Sequence, residues 1–120
     1  MTANLIAHYL VLLALAFLLE APVYLLILRG SFPAGRLVLA AFIINLLTNP
    51  ASNYVYLRWG VEVLVIEIAV VIAEAGLLVA LVRCRPRRAL WTSLAANLTS
   101  WALGVPIYPR VMEVIGQMAR

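Results

Sequence analysis

The chain has 120 residues, of which 66% are hydrophobic and only 12% charged. Its mean hydropathy is +1.05, more apolar surface than a water-soluble domain of this size can hide. The formal charge of +4 comes from arginines set against glutamates, with no lysine or aspartate. Those arginines stand at the ends of apolar runs, a pattern that anchors a chain in a bilayer and excludes a soluble enzyme or a nucleic-acid binder.

Breakers and charges divide the chain into four expected membrane spans. The first covers residues 4–28 and ends at Arg29-Gly-Ser-Phe-Pro; the second covers 37–57 and ends at Arg58-Trp-Gly. The third covers 61–82, and the fourth covers 89–108, where Pro106 and Pro109 are expected to stop it. Each run has the length a helix needs to cross a hydrocarbon core of about 30 Å. Lipid offers the backbone no hydrogen-bond partners, so helices are the expected form. Beyond Pro109, Val111, Val114, Ile115 and Met118 form an apolar stripe opposite Arg110, Glu113 and Gln117, which reads as a short interfacial helix over residues 110–120. The fold class expected is an all-α membrane protein: one domain, four transmembrane helices in two similar hairpins, and an interfacial tail.

Arginine placement sets the orientation. The two odd-numbered loops hold Arg29, Arg36, Arg83, Arg85, Arg87 and Arg88, against Arg58, Arg110 and Arg120 on the other side. The rule that cytoplasmic loops are the basic ones puts both termini outside, in a cell inner membrane. The first run is too long, and lacks the basic flank, for a cleaved signal peptide. Arg83, Arg85, Arg87 and Arg88 also suit anionic lipid headgroups.

One polar residue in each span lies nine positions from an arginine: Glu20 before Arg29, Asn45 after Arg36, Glu74 before Arg83, and Asn97 after Arg88. At 1.5 Å per residue they share a depth of about 13 Å, close to the bilayer midplane. Aligning Glu20-Ala21 with Glu74-Ala75 also carries Arg29 onto Arg83. With the loop shortened by two residues, Arg36 falls on Arg88, Asn45 on Asn97 and Thr48 on Ser100. The chain thus reads as repeat A (residues 4–57) and repeat B (61–108). Both copies enter the membrane in the same direction, which gives a pseudo-two-fold axis along its normal.

Helical phase gathers further oxygens. Asn45, Thr48, Asn49, Ser52 and Asn53 form one stripe on the second span, and Ser93, Asn97, Ser100 and Gly104 a thinner one on the fourth. Glu67 lies seven residues from Glu74 on nearly the same face, roughly 10 Å further out. Interhelical amide and hydroxyl bonds can serve as structural glue, worth about 0.6 kcal/mol each. An ionisable group at mid-membrane costs about 2.5–3.5 kcal/mol, which glue alone does not explain. Carboxylates, amide carbonyls and hydroxyls are hard ligands, suited to protons or hard cations. Pro22 and Pro50 free the carbonyls of Leu18 and Leu46, expected to add oxygens to the belt.

The site expected from sequence is therefore an ion- or proton-binding belt of Glu20, Asn45, Thr48, Asn49, Glu67, Glu74, Asn97 and Ser100. No catalytic set or His/Cys metal cluster can be placed, so the expectation is not an enzyme, and the sequence names no cofactor. His8 and Cys84 stand alone. The layout is similar in size to the small multidrug resistance exporters, which carry an acid in the first helix, but the residues around Glu20 do not match that family's motif. No family is assigned. The functional expectation is a small transporter or channel subunit for protons or a hard cation, working as a homo-oligomer or with partner membrane subunits. The alternative is a non-enzymatic accessory or scaffold subunit of a larger membrane complex.

Overall fold

The computed structural model describes residues 3–120, all of whose regular structure is helical. The helices are α1 (Ala3–Leu28), α2 (Ala34–Trp59), α3 (Val63–Val82) and α4 (Pro86–Met118). Three of them, α1, α2 and α3, are long and apolar enough to cross a membrane. The fourth is the longest at 33 residues, but Thr92, Ser93, Asn97, Thr99 and Ser100 dilute its apolar character.

Short links of three to five residues force neighbouring helices into antiparallel pairs. Gly60 ends α2 in the left-handed conformation, φ 62°, its N–H bonded to the Tyr56 carbonyl. Arg83 ends α3 in the same way, φ 60°, with its N–H on the Val79 carbonyl. A side chain in this conformation costs roughly 1–2 kcal/mol, and glycine avoids that cost. Arg83→Gly is accordingly expected to raise the thermal unfolding midpoint in detergent, with a gain near 1 kcal/mol; a lower midpoint would mean the arginine side chain contributes more than its backbone strain.

The helices form a ring. α1 packs against α2 and α4, and α3 packs against α2 and α4, while neither diagonal pair touches among the described residues. Alanines at positions 16, 21, 40, 41, 75, 89 and 96 are buried along these seams, where small side chains let backbones approach closely. Large apolar side chains such as Leu10, Leu18, Leu26, Leu39, Leu47 and Ile72 face outward. Lipid is the solvent that suits such a surface.

Packing is uneven along the bundle. At the arginine-loop end Tyr24, Leu28, Leu37, Ile44, Leu78, Val82 and Ala89 are all fully buried. Toward the opposite end only Ala16 and Ile66 are buried beyond the polar belt, and a cavity lies between the helices. Two arginines clasp the tight end across hairpins. Arg36 Nη2 donates to the Leu81 carbonyl at 3.2 Å, and Arg88 donates to the Ile27 carbonyl at 2.8 Å and to Ser31 Oγ at 2.6 Å. Each ties the start of one hairpin's second helix to the last turns of the other hairpin's first.

The extents of α2 and α4 differ most from those read in the sequence. Pro33 sets the start of α2, whose first turn takes in Arg36, so this helix gains residues at both ends. Pro106 and Pro109 lie inside α4, which runs on to Met118. A proline removes one donor and leaves the carbonyl four residues back unpaired, a local loss that a helix can survive when neighbours or solvent satisfy that oxygen. Residues 110–118 therefore continue α4 instead of forming a separate helix.

Candidate functional site

The polar stripe of α2 turns inward because its other faces are apolar, and it meets the acids of α1 and α3. Glu20 and Glu74 are 3% and 1% exposed, and Asn45 is 1% exposed. Asn45 Nδ2 donates to Glu20 Oε2 at 2.9 Å and to the Ala41 carbonyl at 3.0 Å. Asn97 Nδ2 does the same one hairpin later, to Glu74 Oε2 at 2.5 Å and the Ser93 carbonyl at 2.9 Å. Thr48 Oγ1 crosses between hairpins to Glu74 Oε1 at 2.7 Å, and also approaches the Ile44 carbonyl at 2.8 Å. Ser100, aligned with Thr48 in the repeat, lies beside the Glu20 carboxyl. Each carboxyl is thus met by an amide of its own hairpin and a hydroxyl of the other.

The donors are outnumbered. Each asparagine nitrogen faces a helix carbonyl four residues back, which fixes which end of the amide is N–H and leaves the carbonyl oxygens of Asn45 and Asn97 with no donor among the described residues. Two carboxyls and two amide oxygens therefore share a few N–H and O–H groups. The arginine hydrogen bonds go to Leu81, Ile27 and Ser31, well away from the acids. Such a surplus of acceptors is chemically suited to water, to protons or to a hard cation.

A cavity of about 410 Å³ opens onto this belt. Glu20, Asn45, Thr48 and Glu74 lie along it with Asn97 and Ser100, and Asn49 and Glu67 line it too. All eight residues expected from the sequence thus share one cavity. Ser52, Asn53 and Tyr108 extend it toward the loosely packed end of the bundle, while the fully buried side chains beneath Glu20 and Glu74 close it at the arginine end. Access is one-sided.

Glu67 stands apart from the two deep acids. It is half-buried, and among the described residues no three His, Cys, Asp or Glu side chains gather as a metal group would require. It also borders a second, apolar cleft of about 550 Å³ between α3 and α4, whose wall it shares with Asn97 and Trp101. Those three residues form the wall between the polar cavity and the apolar cleft.

Other expectations resolve differently. Leu18 and Leu46 are 62% and 47% exposed and neither lines the cavity, so the residues whose carbonyls Pro22 and Pro50 free face away from the belt. Arg83, Arg85 and Arg87 are exposed and free to meet headgroups, whereas Arg88 is half-buried in its clasp. His8 bonds through Nδ1 to the Tyr108 hydroxyl across α1 and α4 at the mouth. Burial pushes the thiol of Cys84 above its ordinary value, against a smaller opposing pull from its own backbone and from Arg88. Tyr24 lies outside the expected belt, yet its hydroxyl is the one buried side-chain polar atom without a partner among the described residues.

Fold and site together define a polytopic helical membrane protein with a one-sided, acceptor-rich cavity. No family model, curated protein or solved structure matches the chain.

Proposed function

We propose that this chain is a small membrane carrier or channel subunit that moves protons or a hard cation through the Glu20/Glu74 belt. One observation carries the reading: residues from all four helices converge on a cavity that is open at one end and sealed at the other. A structural glue network would be packed shut on both sides; a carrier caught facing one side has this shape. In this reading α4, flanked by α1 and α3, shares their membrane depth as a fourth span. The arginine-rich loops face the cytoplasm and both termini face outward, placing the mouth on the outer side.

The duplication is supported by paired bonds. Position 27 aligns with 81 as 20 does with 74, so the clasps Arg36–Leu81 and Arg88–Ile27 are counterparts, as are Asn45–Glu20 and Asn97–Glu74. Two similar halves meeting at a polar midplane is an arrangement that lets one half rock against the other. In this reading the role is non-enzymatic: the acids, amides and hydroxyls that line the cavity bind and release a proton or cation.

The test is transport by purified protein in vesicles. Proton or cation flux that disappears in Glu20→Gln and Glu74→Gln variants supports the carrier, and flux indifferent to both substitutions rejects it. The accessory-subunit reading is favoured by the apolar cleft between α3 and α4, a surface on which a neighbouring membrane helix could lie. It expects no flux, a partner that co-purifies from native membranes, and assembly that fails when Asn45 or Asn97 is replaced. Because four helices enclose only a dead-ended cavity, pairing with a second copy or a partner subunit belongs to either reading, and mass measurement in nanodiscs checks it.

A further inference from the structure

Tyr24 lies four residues beyond Glu20 on α1, one helical turn or about 6 Å closer to the arginine end. It is fully buried, and it is not among the residues lining the open cavity. Its hydroxyl finds no hydrogen-bond partner, the one such buried side-chain atom among the described residues. Yet its neighbours include Glu20 and Glu74 on one side and Cys84 on the other, each near enough to act on it electrostatically. Below it come only apolar side chains: Leu28, Leu37, Leu78 and Val82, all without exposure.

An unpaired hydroxyl in a dry layer is unfavourable, and phenylalanine would fill the same space without it. Polar atoms of this kind are commonly satisfied by a buried water or an ion. We propose that Tyr24 marks a second, deeper station: a site for a single water or a dehydrated small cation between its hydroxyl and the carboxyls of Glu20 and Glu74. From this station cargo leaves the belt toward the arginine end. The inference rests on the carrier reading for its direction of travel, but the station itself is a binding site that exists with or without transport.

The chemistry is balanced for a proton. The bridging water takes a proton from one carboxylic acid as it gives one of its own to the other carboxylate, so the water ends neutral and one proton has moved, while the phenol keeps its proton and its oxygen holds the water in place. For a cation, the phenol oxygen replaces one hydration contact below the carboxyls. Either way the oxygen is needed and the ring is not.

Tyr24→Phe isolates that oxygen, since it keeps the ring and its packing. Wild-type and variant protein are compared by thermal unfolding in detergent and by proton flux into vesicles carrying an entrapped pH-sensitive dye, in sodium and potassium buffers. Removing an occupied station deletes a bridge, so the unfolding midpoint is expected to fall by roughly 2–4 °C. Flux is expected to fall at least about tenfold, equivalent to about 1.4 kcal/mol of barrier. A midpoint that rises would show that the hydroxyl held nothing, and wild-type flux in the variant would remove Tyr24 from the path; either overturns the proposal. If the wild-type protein carries no flux, the carrier reading fails, and the station is decided by the midpoint alone: a fall upholds it and a rise overturns it.

Discussion

Glu74→Gln should leave the fold intact and reduce cation or proton flux at least about a hundredfold, with Glu20→Gln close behind. A unit charge 4 Å from its counter-charge gains about 4 kcal/mol at an effective dielectric near 20, roughly a thousandfold in occupancy. The remaining carboxyl recovers part of that loss, which sets the lower figure. Folding survives for a local reason. Glu74 accepts from Thr48 and from Asn97, and a glutamine can offer its carbonyl to Asn97 while its amide points at Thr48, whose hydroxyl can turn to accept. Glu20 allows the same exchange, with its carbonyl on Asn45 and its amide turned toward the Ser100 hydroxyl. Leucine at either position would confound the test, because it strands the asparagine and lowers stability as well. The measurement is initial flux normalised to protein that elutes as a single species, and Gln variants that retain more than half of wild-type flux would rule out a carboxylate-based path.

The second large effect concerns the tight end. Cys84 is the chain's sole cysteine and is buried beside the clasps. It is therefore a native reporter of opening there. Arg88→Ala removes bonds to the Ile27 carbonyl and Ser31, and hydrogen bonds from a charged donor are worth about 1.5–3 kcal/mol together with their geometry. Labelling of Cys84 by a membrane-impermeant maleimide should accelerate by roughly 10- to 100-fold in the variant. The sign with pH is fixed by the thiol. Burial raises it above its ordinary value, so the closed protein holds less of the reactive thiolate and its labelling climbs steeply as pH increases. Loss of the Arg88 charge by itself would push the thiol higher still and slow the reaction, so faster labelling can only come from exposure. An unchanged rate would mean the clasps do not hold this end closed. Applied to sealed vesicles, the same reagent also reports which face carries the arginine loops.

Much of the site was legible because it depends on spacing. Nine-residue intervals from the arginines put the two acids and two amides at one level, and the i, i+3, i+4 pattern of Asn45, Thr48 and Asn49 aimed α2 inward. What spacing along a helix cannot reveal is where helices part. Both ends of the chain's spans are equally apolar, and the choice of a tight arginine end follows from alanines at the seams and from Arg36 and Arg88 reaching across hairpins, which are tertiary facts. The prolines were misread for a different reason. Leu18 lies two residues from Glu20, some 200° around a helix of 3.6 residues per turn, so its carbonyl faces away from the belt. That information was present in the phase of the sequence. Pro106 and Pro109 show the opposite limit, since whether a helix ends at proline depends on what can satisfy the freed carbonyls.

The uninterrupted course of α4 makes the rim lopsided. Tyr108 still borders the cavity, yet the helix climbs ten further residues to Met118, about 15 Å of parapet on one flank. The opposite flank has only the brief Gly60–Glu62 crossing between α2 and α3. Bulky visitors from solution thus find the doorway shielded on one side and low on the other, and whatever symmetry the two halves share at the acids is broken at the threshold.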